Sequence, residues 1–397
     1  MDRNTPGDRI RSVRKRRGMT QRELAETSGL ALSTVKKIEQ GSYGNMRLET
    51  AHKLAISLGV PTSALMTEPD APVPSPQSVQ RWEPVRLALD GVADGRPDSE
   101  PTLEGIGSEV RSMVALLVSG QFSEMGALVP ALLRDTDELV AVSANGAQAA
   151  ALQLRALVRQ VTGALMLHTW QFDAAEHAFD MAMDDAGDPL TAMSVVDERC
   201  WGLIRQGKLT ETRELAFRWA AENEPKMSSA TRDQMGHWGR LLVRASMAAV
   251  RDNRPDEAAE ALKLARMAAI GAGPDFTLSR SWHVFGPVTV SVFAAEHAMI
   301  QDRPEAVLSI GRRLDGARPA VPVLRHSPSL RLDVANAHAT LRHDAEAVAV
   351  LQQLRRARPQ WLPRQRYAAD ILQKLIGHRR TLSVEMRELA DAVSLPL

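Results

Sequence analysis

Ser33, Thr34, Lys36 and Lys37 crowd the outward side of one short helix, predicted over about residues 31–40. Hydroxyls and ammonium groups at that density can donate to phosphate oxygens and to base edges. Val35 and Ile38 of the same segment face inward and fix which side is free. Just upstream, Arg14-Lys15-Arg16-Arg17 close the first helix. Two readings stand for that run: cations stabilised at a helix C-terminus, or phosphate contacts made by residues such as Arg16. Tyr43, in the loop after the polar helix, can donate to a phosphate or simply anchor the loop.

These side chains need a rigid platform, and residues 20–65 supply its signals. Thr20 and Glu23 have the spacing of a capping box, each satisfying an orphan N–H of the other. Leu24 and Ala25 form the apolar face of that helix, and Gly29 ends it. Leu30 and Val35 fill the space between the two helices. A further amphipathic helix carries Leu48, Ala51, Leu54, Ala55 and Leu58 on one face and stops at Gly59. Two short helices around a glycine turn, with a third after a polar loop, is how a small domain offers one helix to the DNA major groove.

At fixed spacing and without a gap, Gln21, Leu24, Ala25, Gly29, Ser33, Thr34, Val35, Ile38, Glu39, Gly41, Leu48, Leu54, Ala55, Leu58, Gly59 and Val60 match one pattern. The stretch resembles the helix-turn-helix of the phage-repressor (XRE) family over roughly residues 6–66. The resemblance implies five packed helices, with the third reading bases in double-stranded DNA. It places Leu32, Ser33 and Lys37 at base-facing positions, with Lys36 and Thr34 beside them. It places Gln21 where it holds a phosphate and braces the reading helix. Two positions depart from the pattern: Ala31 stands where a capping Ser or Thr is usual, and Leu32 stands where a polar reader is usual. A Leu there can only pack on something apolar, such as a thymine methyl.

Charge agrees. Residues 1–65 hold twelve Lys/Arg against six Asp/Glu, whereas the remainder holds 37 against 42. A basic module on a mildly acidic body is the footprint of a nucleic-acid binder. No long apolar run suggests a membrane span, and the charged N-terminus lacks the apolar stretch of a signal peptide. The single cysteine, Cys200, cannot staple the chain, and its neighbours Val196 and Ile204 suggest a buried small hydrophobe. A cytoplasmic protein is the expectation.

Residues 67–84 are proline-rich, with Pro69, Pro72, Pro74, Pro76 and Pro84, and read as an extended linker. With the soft stretch 90–101, the linker is expected over 67–102. From about Leu103 to the end the pattern is helical, and no period-2 strand is evident. Gly163, Phe172, Ala175, Phe179 and Ala182 have the spacing of a tetratricopeptide repeat. In that reading a close neighbour leaves no room for a Cβ at Gly163. Weaker echoes centre on Thr212, Ala258, Ala306 and Ala347, in longer steps than a strict repeat. The expected fold is all-α: a five-helix DNA-binding domain over 1–66, then six or seven hairpins over 103–397 forming a right-handed solenoid.

No HExxH, GxxxxGK[ST] or GxSxG motif occurs, so neither catalysis nor a metal or other cofactor is expected. Candidate ligand residues lie on the first helices of the hairpins: Arg155 and Arg159, then Glu198 and Trp201, then Trp238, Arg240 and Arg244, then Trp282 and His283, then Asn336. For each, a structural role is the competing reading. A helix-turn-helix joined to helical repeats resembles, in architecture, the peptide-responsive quorum-sensing regulators of bacteria (the RRNPP group). That resemblance implies a homodimer whose repeat domain binds a peptide or small effector. The alternative is a DNA-tethered scaffold whose repeats bind a protein partner.

Overall fold

The computed structural model describes residues 5–42, 46–66, 76–92, 100–144, 146–316, 327–359, 361–379, 381–393 and 395. The N-terminal head has α1 (Pro6–Arg16), α2 (Gln21–Ser28), α3 (Leu32–Glu39), α4 (Leu48–Leu58) and a 3-10 turn, Thr62–Ala64. Ile10, Leu24, Val35, Leu54, Leu58 and Leu65 meet in its core. The fifth helix implied by the family resemblance is therefore only a turn here. Pro61 precedes it and Leu65, fully buried, ends it, so the segment is spent after three residues.

The extended linker is corrected over its second part. Pro76–Leu89 form α5, with Trp82, Val85, Ala88 and Leu89 buried against α7 (Phe122–Val142). Pro76 sits at the helix start, where its missing N–H costs nothing, and the apolar burial outweighs Pro84 inside the helix. The prolines at 76 and 84 mask the apolar residues at 82, 85 and 89, which fall on one helical face. Residues 67–75 and most of the soft stretch 90–101 lie outside the described residues.

Beyond α5 the chain runs as paired helices: α6 (Leu103–Ser119) with α7, α8 (Gly146–His168) with α9 (Phe172–Asp184), α10 (Pro189–Arg205) with α11 (Leu209–Glu222), and α12 (Arg232–Arg251) with α13 (Pro255–Ala272). Then follow α14 (Pro287–Ile300) with α15 (Pro304–Gly316), α16 (Pro328–Thr340) with α17 (Asp344–Ala357), and α18 (Arg366–Gly377) with α19 (Val384–Ala392). Each first helix packs on the first helix of the next pair, so the hairpins form a linear array. Met183 and Trp201 pack against two successive apolar clusters and join them.

The turns inside six of these hairpins share one chemistry. A residue just after the first helix takes the left-handed region: Gly120, Trp170, Gly207, Asn253, Asp302 and Arg342. The next N–H then bonds back five residues, as in Gln171 N to Met166 O and Arg254 N to Ala249 O. Inside the second hairpin, Gly163 lies where expected: a Cβ there would fall within the Phe179 ring. One expectation fails locally. Phe276–Thr277 (β1) pair antiparallel with Val284–Phe285 (β2) between α13 and α14. Two-residue strands are too short to show a period in the sequence.

Candidate nucleic-acid interface

The helix that the sequence singles out is presented by its own boundaries. The capping box at Thr20 and Glu23 forms, with Glu23 N to Thr20 Oγ1 at 3.2 Å and Thr20 N to Glu23 Oε2 at 2.7 Å. Gly29 at φ +66° turns the chain so that α3 crosses α2. Val35 and Ile38 then seal the head's core. Ser33, Lys36 and Lys37 are exposed and Thr34 is half-buried, forming one polar surface. Leu32 is half-buried and packs on the head's core instead of standing clear of it. Ala31 makes no side-chain cap, so the start of α3 leaves backbone N–H groups that suit an anion. Tyr43 lies outside the described residues.

The far end of α3 is fixed by a buried charge. Glu39, 2% exposed, accepts from Arg14 Nε at 2.5 Å, from Arg14 Nη2 at 2.8 Å and from Gln21 Nε2 at 2.8 Å. Arg11 stands at the rim, 3.7 Å away. Burial pushes the Glu39 carboxyl up, but the Arg14 and Gln21 hydrogen bonds and the charges of Arg14 and Arg11 prevail and hold it below its ordinary value. Gln21 thus ties α2 to the far end of α3. Within the basic run, Arg14 is 8% exposed and committed to Glu39 and Met19 O, so phosphate contact is ruled out for that member. Lys15 and Arg16 are exposed, and Arg17 donates to Gly59 O.

The head is docked on the array by its edge away from α3. Asp252 O and the Asp252 carboxylate accept from Thr62 N (3.3 Å) and Ser63 N (2.8 Å). Arg251 O accepts from Thr62 Oγ1 (2.8 Å) and meets His52 Nδ1 (2.9 Å). Asn253 Nδ2 donates to Val60 O at 3.0 Å. The α12–α13 turn therefore receives the end of α4, and Arg47 pairs with Asp370 of α18 at 2.8 Å. Little in the local sequence marks this turn. An Asp-Asn pair after a helix was its only signal.

The candidate ligand residues separate into groups. Arg155 and Arg159 are both locked to Asp137 and Asp185. Trp238 is buried and donates to Ala220 O at 3.0 Å, and Asn336 donates to the Tyr367 hydroxyl at 2.9 Å, so both serve packing. Trp201, Arg244, Trp282, His283, Glu198 and Arg240 do converge, around Asp197. Asp197 accepts from Arg240 (2.5 Å) and Arg244 (2.8 Å), while Glu198 is hydrogen-bonded to His283. Ligand atoms of Asp197, Glu198 and His283 lie within 4.8 Å of one another. Two guanidinium groups already balance the two carboxylates there, so a metal cation would have to displace them. The buried Cys200 thiol is pushed up by burial and stays protonated, as a small apolar side chain would behave.

The head's geometry has counterparts among known proteins. The family profile described as helix-turn-helix matches residues 10–65. The immunity repressor protein of Bacillus phage phi105 is 34% identical over 115 residues, covering 26% of this chain and 79% of the repressor. The HTH-type transcriptional regulator SinR of Bacillus licheniformis is 33% identical over 89 residues, covering 22% of this chain and 78% of SinR. The HTH-type transcriptional regulator PuuR of Escherichia coli (strain K12) is 30% identical over 88 residues, 22% of this chain and 47% of PuuR. No solved structure matches the chain. The chain belongs to the helix-turn-helix family of transcriptional regulators through this N-terminal segment. Among the described residues, no helix is long and apolar enough to cross a membrane.

Proposed function

We propose that this protein is a sequence-specific transcriptional regulator that reads duplex DNA with α3. The observation that carries the reading is the polar face of Ser33, Lys36 and Lys37, left exposed while every apolar residue of α3 is used in packing. Lys37 and Ser33 reach base edges in this account, with Thr34 and Lys36 beside them. Lys15, Arg16 and the N–H groups at the start of α3 hold phosphates. The protein works as a homodimer, with two α3 helices entering the major groove about one turn (roughly 34 Å) apart.

The organisation that fits is a head over 1–66 and a sensing and dimerising body that begins with α5. The body is a tetratricopeptide-like solenoid whose first helices carry the effector site. The recurring left-handed turns support that assignment, and the convergence of Trp201, Arg244, Trp282 and His283 supports a site there. Footprinting of the full chain on a selected operator tests the reading. Two protected half-sites one turn apart, both lost in Lys37→Ala, are expected. Unchanged protection by Lys37→Ala overturns the assignment of α3.

A further inference from the structure

Most of the array's buried and half-buried arginines meet an acid among the described residues. Arg155, Arg159, Arg213, Arg240, Arg244 and Arg251 each face a carboxylate. Arg205, half-buried on the last turn of α10, faces none among the described residues, and its buried Nε has no acceptor. What it faces is aromatic. Its guanidinium carbon lies 4.6 Å from the centre of the Trp170 ring and 6.0 Å from that of Trp201. Burial alone lowers its pKa, to about 10, with no neighbouring charge acting on it. The group is still a cation at neutral pH, in low-dielectric surroundings and without a counter-ion.

Trp170 is held there at a cost. It occupies the left-handed turn position of its hairpin at φ +65°, a conformation that bulky residues rarely adopt. Its ring, 37% exposed, also meets Phe172 edge-on at 5.6 Å. A strained turn thus places an indole over an uncompensated guanidinium and leaves part of both open. A cation–π stack holds Arg205 against its two rings but gives its terminal N–H groups no carboxylate partner among the described residues. The planar fork matches a carboxylate. One guanidinium between apolar rings suits a single negative charge on a flat apolar body, not a strongly hydrated phosphate dianion.

We propose that Arg205, Trp170 and Trp201 form a receptor for an aromatic monocarboxylate. This names the effector class for the sensing role proposed above and rests on that reading. The full-length protein is titrated calorimetrically with benzoate, benzamide and inorganic phosphate. Saturable binding of benzoate, at least ten times weaker binding of benzamide and phosphate, and at least a tenfold loss in Arg205→Gln are expected. Trp170→Leu weakens benzoate as well. Arg205→Gln melts no lower than the parent, because it removes a cation without a counter-ion. No saturable heat with benzoate, equal binding by Arg205→Gln, or equal binding of phosphate overturns the proposal. A marked fall in the melting temperature of Arg205→Gln, with no benzoate binding to the parent, assigns the triad to packing instead. Benzoate binding that leaves operator affinity unchanged keeps the receptor and removes the sensing role. Operator affinity that responds to another effector, with no benzoate binding, does the reverse.

Discussion

Replacing Arg14 by Met should unfold the head while the array stays intact. The substitution leaves the buried Glu39 carboxylate with only the Gln21 amide at 2.8 Å and the rim Arg11 at 3.7 Å. Removing one partner of a buried, hydrogen-bonded pair costs about 3–5 kcal/mol. A domain the size of this head has about 3–5 kcal/mol in all. At 1.4 kcal/mol per tenfold, amide protection in α1 to α4 should fall about 100- to 1000-fold or more. Hydrogen exchange by mass spectrometry on the full chain reads this directly, since α12 and α13 serve as an internal reference. Arg14→Met with Glu39→Leu removes both charges and should restore most of the protection, because an apolar replacement of a buried pair is near neutral. Acid should act on the same pair. The folded Glu39 carboxyl is held below its unfolded value of about 4.3, so its contribution is complete above that pH and is lost as pH falls through the folded value. A change in head protection below about fivefold, the scale of a surface ion pair, would refute the argument.

Four further outcomes are expected. Ser33→Ala and Lys37→Ala should change which sequences are bound, whereas Arg16→Ala should weaken all sequences alike and reduce the salt dependence by about one counterion; binding at several salt concentrations separates the two effects. Asn253→Gly keeps the left-handed turn but deletes the amide held by Val60 O, so the head should undock without unfolding, visible as exchange gained in the 3-10 turn and at 251–254 alone. Docking should also weaken below about pH 6.5, because burial lowers His52 in the docked state and an undocked His52 takes up the proton more readily; no loosening at pH 5.5 would count against this docking. Gly163→Val should destabilise the array by about 1–3 kcal/mol through overpacking against Phe179, with Phe179→Ala partly compensating, as read by thermal unfolding.

How much of this was visible in the sequence depended on whether a residue's role is local. The head was legible almost whole, because capping boxes, glycine stops and apolar spacing act within a few residues. The inner role of Arg14 was not, since nothing nearby distinguishes it from Lys15 and Arg16; only Glu39, 25 residues on, does so. The close approach at Gly163 was legible in the sequence. The helix over 76–89 was hidden by its prolines, although Trp82, Val85 and Leu89 already lay on one face. In the candidate ligand strip, aromatic and arginine content found the right neighbourhood but could not separate paired from unpaired cations. Arg155 looks as promising as Arg244 in sequence, and nothing local marks Arg205, because its lack of a carboxylate partner among the described residues is a property of the assembled array.

The most direct test of the central claim is selection of binding sites from random duplex DNA by the full-length protein beside a chain lacking residues 1–66. The account predicts one enriched sequence for the full chain, bound less tightly as salt rises, and no enrichment without the head. Enrichment that survives deletion of the head, or none with the intact protein, would contradict it.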